Sequence, residues 1–212
     1  MSREVVLHRV RSALAGSKAE DLPATSAYRR TGILTAEQKL HMLEDRLGEY
    51  GARVFRASEQ DLRERIALAL IEGKKLRMVH PSGLPEAWLD GRISWTADSN
   101  GGGEELSLAR IESFDGVLTA ATVAVAESGS IVLQHGAAEG RRALTLLPDY
   151  HLCVLFEHQL VETLAECFER LKGSATRPTT FISGPSATAD IEMTRIKGVH
   201  GPRFLDVILV AP

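Results

Sequence analysis

Four short stretches hold most of the side chains that could do chemistry: "HPSG" from His80, "AESGS" from Ala126, "SGPSATADIE" from Ser183 and "GVHGP" from Gly198. Glu127 closes an apolar run and is followed by Ser128, Gly129 and Ser130. Burial would make it a base or a nucleophile, whereas in water it is an ordinary hairpin glutamate. Further on, Gly184 and Pro185 turn the chain, while Ser183, Ser186 and Thr188 supply hydroxyls. Thr188 has the character of a helix N-cap with Asp190 in the first turn; free N–H groups and hydroxyls there would cradle an anionic ligand, or simply start a helix. His200 is the side chain type that titrates nearest neutrality and is the natural acid–base group, and Gly201 beside it lets backbone approach a ligand closely. Glu127, Asp190 and His200 are therefore the candidate catalytic residues. Ser128, Gly129, Ser130, Ser183, Gly184, Ser186, Thr188 and Gly201 are the candidate ligand contacts.

Several other chemistries lack their residues. The remaining histidines make no His-Glu-x-x-His pattern and no close His/carboxylate triad, so no metal site is expected. The chain has no Gly-x-Ser-x-Gly elbow. The glycine run Gly101–Gly103 matches neither phosphate-loop nor dinucleotide spacing and reads as a surface turn. Cys153 and Cys167 stand alone, without a Cys-x-x-Cys pair, so this chain's thiols cannot build an iron–sulfur cluster or a structural zinc site; two reduced, buried thiols are expected. A net charge of −3 and 5% aromatic residues offer neither a basic field nor stacking platforms for nucleic acid. The first residues carry charges within their apolar stretch, unlike a secretory leader, and no run approaches the roughly 20 apolar residues of a membrane span. A cytoplasmic, soluble protein is expected.

The elements that must position these loops follow from periodicity. Val6, Val10 and Leu14 recur at helical spacing, and the polar stretch after them reads as a linker, giving an N-terminal arm over 1–34. So short a helix is unstable alone, so its stripe is expected to pack on its own domain or on a partner subunit. Thr35 with Gln38 forms a capping box for a helix with Leu40, Leu43, Leu47 and Tyr50 inward. Strands are expected at "ARVFRA", "KLRMVH", Thr122–Ala126, Ser130–Gln134, "HLCVLF", "TTFIS" and "FLDVILV". Helices are expected at "SEQDLRERIALALIEG", capped by Ser58, at "GLPEAWLDG", and at "EHQLVETLAECFERLKG" with Leu160, Leu164, Cys167, Phe168 and Leu171 inward. Such alternation predicts an α/β domain over 35–212, a largely parallel sheet with helices on both faces. In such sheets ligands lie beyond the carboxyl ends of the strands.

Four motifs carry a resemblance: "AESGSIVL", "LPDYHLCVL", "ISGPSATADIE" and "GVHGPRFLDVILV", in this order between Phe114 and Val210. The sequence resembles the LUD-domain family, of the lactate-utilisation C type. Where that family more often has Thr-Gly-Thr after the acidic residue, this chain has Ser128-Gly129-Ser130 and keeps both hydroxyls. The resemblance implies a fold similar to the glucosamine-phosphate deaminase, ribose-phosphate isomerase and CoA-transferase group. It also implies a part in oxidising L-lactate to pyruvate beside iron–sulfur partner proteins, which would bring the clusters this chain has no cysteines to hold. By fold-level analogy with CoA-transferases, Glu127 stands in the context of a nucleophile. The alternative is an enzyme or binding protein for a small anionic acid, phosphorylated or CoA-linked, held by the "SGPSATADIE" and "GVHGP" loops.

Overall fold

The first helix, α1 (Arg3–Leu14), forms where its spacing predicts but buries no residue; Val6 and Val10 are 47% and 48% exposed. The expected docking of this stripe on its own domain is therefore not what the structure adopts. The computed structural model describes residues 3–15, 29–99, 103–188, 196–197 and 201–211. In α2 (Ala36–Glu49) the capping box is complete: the Thr35 hydroxyl accepts from Gln38 N, and Gln38 Oε1 accepts from Thr35 N. These bonds satisfy two of the N–H groups a helix start leaves open, so the chain turns helical at Ala36. Leu40, Leu43 and Leu47 are buried, one turn apart on the same face.

Six strands form one wholly parallel sheet: β1 (Arg53–Ser58), β2 (Arg77–His80), β3 (Ser94–Ala97), β4 (Gly116–Ala120), β7 (Tyr150–Phe156) and β12 (Phe204–Ala211). Their order is β1-β12-β7-β4-β2-β3. Strands β7 and β12 lie near the centre and are apolar almost throughout, as strands buried on both faces must be. A smaller sheet joins β5 (Val123–Val125), β6 (Ser130–Leu133), β8 (Leu160–Val161) and β9 (Thr180–Ile182) in the order β8-β5-β6-β9. One face of the large sheet, with Cys153, Leu155, Val207 and Leu209, packs on α2 and on Ile131 and Leu133 of the small sheet. The opposite face, with Leu118, Leu152, Val154 and Ile208, packs on Leu62, Ile66 and Leu70 of α3 (Leu62–Glu72). Thus the expected sheet with helical cover is present, with a second sheet sharing one of its faces.

Local differences have local causes. Ser58 ends β1 instead of capping α3; its hydroxyl accepts from Asp61 N, and the helix begins after that turn. The long helix expected over Glu157–Gly173 divides into a 3₁₀ turn (Glu157–Gln159), β8 and α5 (Leu164–Leu171). Two stronger local interactions win there: β8 pairs with β5, and Thr163 with Glu166 makes a capping box that fixes the helix start. Cys167 and Leu171 point inward as expected, but Leu164 and Phe168 are exposed. Strands β3 and β4 and the short α4 (Leu108–Glu112), absent from the sequence reading, complete the sheet and its cover.

Before α2 the backbone is strapped to the small sheet. Glu162, only 2% exposed, accepts from Ile33 N and Leu34 N at 2.6 Å each and pairs with Arg29 at 2.7 Å, while Glu166 accepts from Gly32 N at 3.0 Å. Because hydrogen bonds to a charged group each contribute about 1.5–3 kcal/mol, Glu162→Ala is expected to lower stability by about 2–3 kcal/mol and to release this strap. Amide hydrogen exchange at Ile33 and Leu34 measures it; unchanged protection in the variant would show that the carboxylate does not hold the segment.

Candidate functional site

Backbone joins the two signature loops. Ser186 N donates to Pro202 O at 2.8 Å, so the turn after β9 lies against the segment that leads into β12. Between these loops and the amino ends of β7 and β12 is a cavity of about 250 Å³. Ser183, Gly184, Ser186 and Gly201 line it. Ser128 and Ser130 reach its wall through hydroxyls: Ser128 Oγ donates to Ser130 Oγ at 2.8 Å, and Ser130 Oγ and Ser183 Oγ share a bond of 2.7 Å. The cavity thus follows a strand, β9, yet sits at the amino edge of the large sheet, not at the carboxyl edge that the sheet rule favours.

The end of α2 props both loops. Gly184 has φ +85°, and a Cβ there would stand 2.3 Å from Tyr50 Cβ; at Gly129, with φ +60°, it would stand 2.6 Å from Arg46 Cβ. Both positions need glycine for backbone conformation and for space. Gly129 therefore packs on α2 and lines no part of the cavity, whereas Gly184 does both.

Other candidates go elsewhere. Glu127 ion-pairs with Arg29 beside a separate depression that includes Lys172 and Phe168, and its side chain is 45% exposed. It is neither buried nor part of the cavity. Thr188 belongs to β10 (Ala187–Thr188), which pairs antiparallel with β11 (Ile196–Lys197); its backbone is extended where a helix cap was expected. Asp190 and His200 lie outside the described residues. The "HPSG" turn borders a wider depression of about 680 Å³ beyond the carboxyl end of β2, where Arg141 is already neutralised by Asp98 and Glu105. His135 stands between that depression and the cavity: Nδ1–H donates to Gly140 O at 2.9 Å, and Nε2 shares a 2.8 Å bond with the hydroxyl of Thr180, a cavity residue.

Two cavity groups escaped the sequence reading. Arg142 Nη1 donates to the carbonyl and the hydroxyl of Thr145, each at 3.1 Å. Nε and Nη2 have no hydrogen-bond partner, and no carboxylate pairs with the guanidinium, among the described residues. Partial burial lowers its pKa from the ordinary value, but an arginine stays charged regardless. His151, 1% exposed, opens β7 and shares a 2.8 Å bond between Nε2 and Thr119 Oγ1. Burial, and secondly the charge of Arg142, push the imidazole down to about 4, so it is neutral at pH 7. Its Nδ1 has no hydrogen-bond partner among the described residues, and the residue lines the cavity. Nearby, burial first of all pushes the Cys153 thiol up to about 12, which makes it unreactive. Arg142 stands in no recognisable motif, and His151, within "LPDYHLCVL", reads in sequence only as the opening of a strand; the fold brings the two together.

A family model described as the LUD domain matches residues 40–210. The chain belongs to the LUD domain family. A Deinococcus radiodurans protein named "Lactate utilization protein C" is 42% identical over 207 residues, covering 97% of this chain and 93% of that protein. A Bacillus subtilis protein of the same name is 30% identical over 128 residues, or 58% of this chain and 52% of its own length. The fold is likewise that of a LUD-domain protein. A crystal structure of a DUF162 family protein from Deinococcus radiodurans superposes with a TM-score of 0.72 at 38% identity, covering 84% of this chain and 99% of that one. The matched family region contains every cavity residue named above. Among the described residues no helix is long and apolar enough to cross a membrane.

Proposed function

We propose that this LUD-domain protein serves L-lactate utilisation, as a component of a system that oxidises lactate to pyruvate in the cytoplasm beside iron–sulfur partner proteins. The observation that carries the reading is likeness to a relative named for lactate utilisation, 42% identical over 97% of the present chain. The geometry supports the same direction. A cavity of about 250 Å³ is below the roughly 300–1,000 Å³ typical of sites for drug-sized ligands, and Arg142, the one cation among its described lining residues, suits a small anion. A phosphorylated or CoA-linked acid, with more charge and far more bulk, fits this space less well.

Deleting the gene, in a host without a second copy, is expected to abolish growth on L-lactate while leaving growth on pyruvate intact. Unchanged growth on lactate would overturn the role, and loss of growth on both would show that it is not specific to the oxidation step. Affinity purification of the chain from lactate-grown cells is expected to bring down proteins with iron–sulfur absorbance; a colourless, single-component isolate would remove the partners from the proposal.

A further inference from the structure

We infer that the cavity between the Ser183–Ser186 turn and the start of β7 binds a small 2-oxygenated monocarboxylate, with Arg142 holding the carboxylate and His151 the oxygen on the neighbouring carbon. The inference rests on the lactate reading only for its biological setting; the chemistry comes from the site. Arg142 is anchored at one nitrogen by Thr145, a residue only 1% exposed, so its fork is oriented before any ligand arrives. Its remaining N–H groups suit a carboxylate taken side-on. One cation with no second one among the named cavity residues balances one negative charge, not the two of a phosphate monoester.

His151 supplies what selects the second oxygen. Its side chain is buried and neutral, it lines the cavity, and Nδ1 has no hydrogen-bond partner among the described residues. A ligand oxygen seated in the cavity would give this nitrogen the hydrogen bond that the fold leaves unmade. Thr119 makes the ring adaptable. When the Thr119 hydroxyl donates to Nε2, Nδ1–H is a donor and suits a keto oxygen. When that hydroxyl instead turns toward Cys153 Sγ, 3.9 Å away, it accepts from Nε2–H, and Nδ1 becomes an acceptor for a ligand hydroxyl. A hydroxy acid and the corresponding oxo acid are thereby bound by the same imidazole. Leu205 and Ile182 close the wall with apolar surface suited to a short alkyl end.

Titration calorimetry and thermal shift on the full chain test this with L-lactate, pyruvate, propionate and inorganic phosphate. Lactate and pyruvate are expected to bind saturably. Propionate, which has the carboxylate but not the second oxygen, is expected to bind at least about tenfold more weakly, since a lost buried hydrogen bond of about 1.4 kcal/mol is a factor of ten. Arg142→Gln is expected to abolish binding of both acids while its ligand-free melting temperature stays near wild type, because the side chain lies at the cavity mouth. His151→Gln keeps an amide donor toward Thr119 and is expected to bring lactate down to the affinity of propionate. Equal binding of propionate and lactate, tighter binding of phosphate, or full binding by folded Arg142→Gln would each overturn the assignment. A chain required for growth on lactate that binds none of the acids would overturn this inference and leave the cellular role standing.

Discussion

Replacing Arg53 with methionine is expected to destabilise the protein by about 3 kcal/mol, among the largest losses from any single exposed position. Asp206, 2% exposed, enters β12 between two strands, and its carboxylate accepts two bonds from Arg53, at 2.9 and 2.5 Å, and one from the Tyr150 hydroxyl at 2.7 Å. Burial, with Asp206 beside it, drives the Tyr150 pKa far upward, so the phenol is always a donor. Removing the guanidinium leaves a buried carboxylate with one neutral donor, and the cost of such an uncompensated charge exceeds the net value of the pair itself. The half-exposed Arg53 end lets some water reach the carboxylate, which keeps the expectation at the lower end of the about 3–5 kcal/mol range for broken buried pairs. Urea unfolding at pH 7 measures it. The double variant Arg53→Met/Asp206→Asn, which removes the stranded charge and keeps an acceptor for Tyr150, is expected to recover at least half the loss. If it recovers none, charge burial is not the cause.

The same residues show what the sequence made legible and what it did not. Local signals were readable because the interactions are local: Thr35 and Gln38 cap α2 across three positions, and the Leu40, Leu43 and Leu47 stripe follows from helix period alone. The parallel strands β7 and β12 announced themselves as apolar runs. Where local preference met a long-range partner, the reading failed. Leu160 and Val161 have helical neighbours on both sides, yet they pair with Ala124 and Val125. Gly116–Ala120, short and opening on the turn-like pair Asp115-Gly116, becomes a strand because β7 and β2 lie on either side of it. The loops Ser183–Ser186 and Gly201–Pro202 were legible as special through their glycines and prolines, and the structure lays them side by side. Arg142 and His151 were illegible as a pair because what sets them apart is what they lack among the described residues: a carboxylate in one case, a partner for one ring nitrogen in the other. Glu127 was the reverse case, its acidic residue among hydroxyls conspicuous in sequence, and Arg29 takes it up from 98 positions away.

Acidification is expected to unfold this protein through His151 well before the carboxylates are exhausted. The group's ordinary value is near 6.5, and in the fold burial, with Arg142 adding to it, brings it down to about 4. Between those two values the unfolded chain binds a proton that the folded chain refuses, so stability rises with pH there and falls as pH drops. The contribution is complete above about pH 6.5 and gone below about 4. At about 1.36 kcal/mol per pH unit over that window, His151 alone accounts for about 3 kcal/mol. His80, lowered chiefly by its own burial, adds to the loss with the same sign. Lowered carboxylates such as Glu44, held down chiefly by its bond to Arg56, lose their stabilising effect only toward the acid end of that range. Unfolding free energies at pH 7.5, 5.5 and 4.5 would therefore fall steeply in wild type and much less in His151→Gln, with His80 supplying the residue of the slope. Parallel curves for the two proteins would mean that the imidazole is not held neutral, and the donor–acceptor exchange that fits it to both a hydroxy acid and an oxo acid would then have no basis.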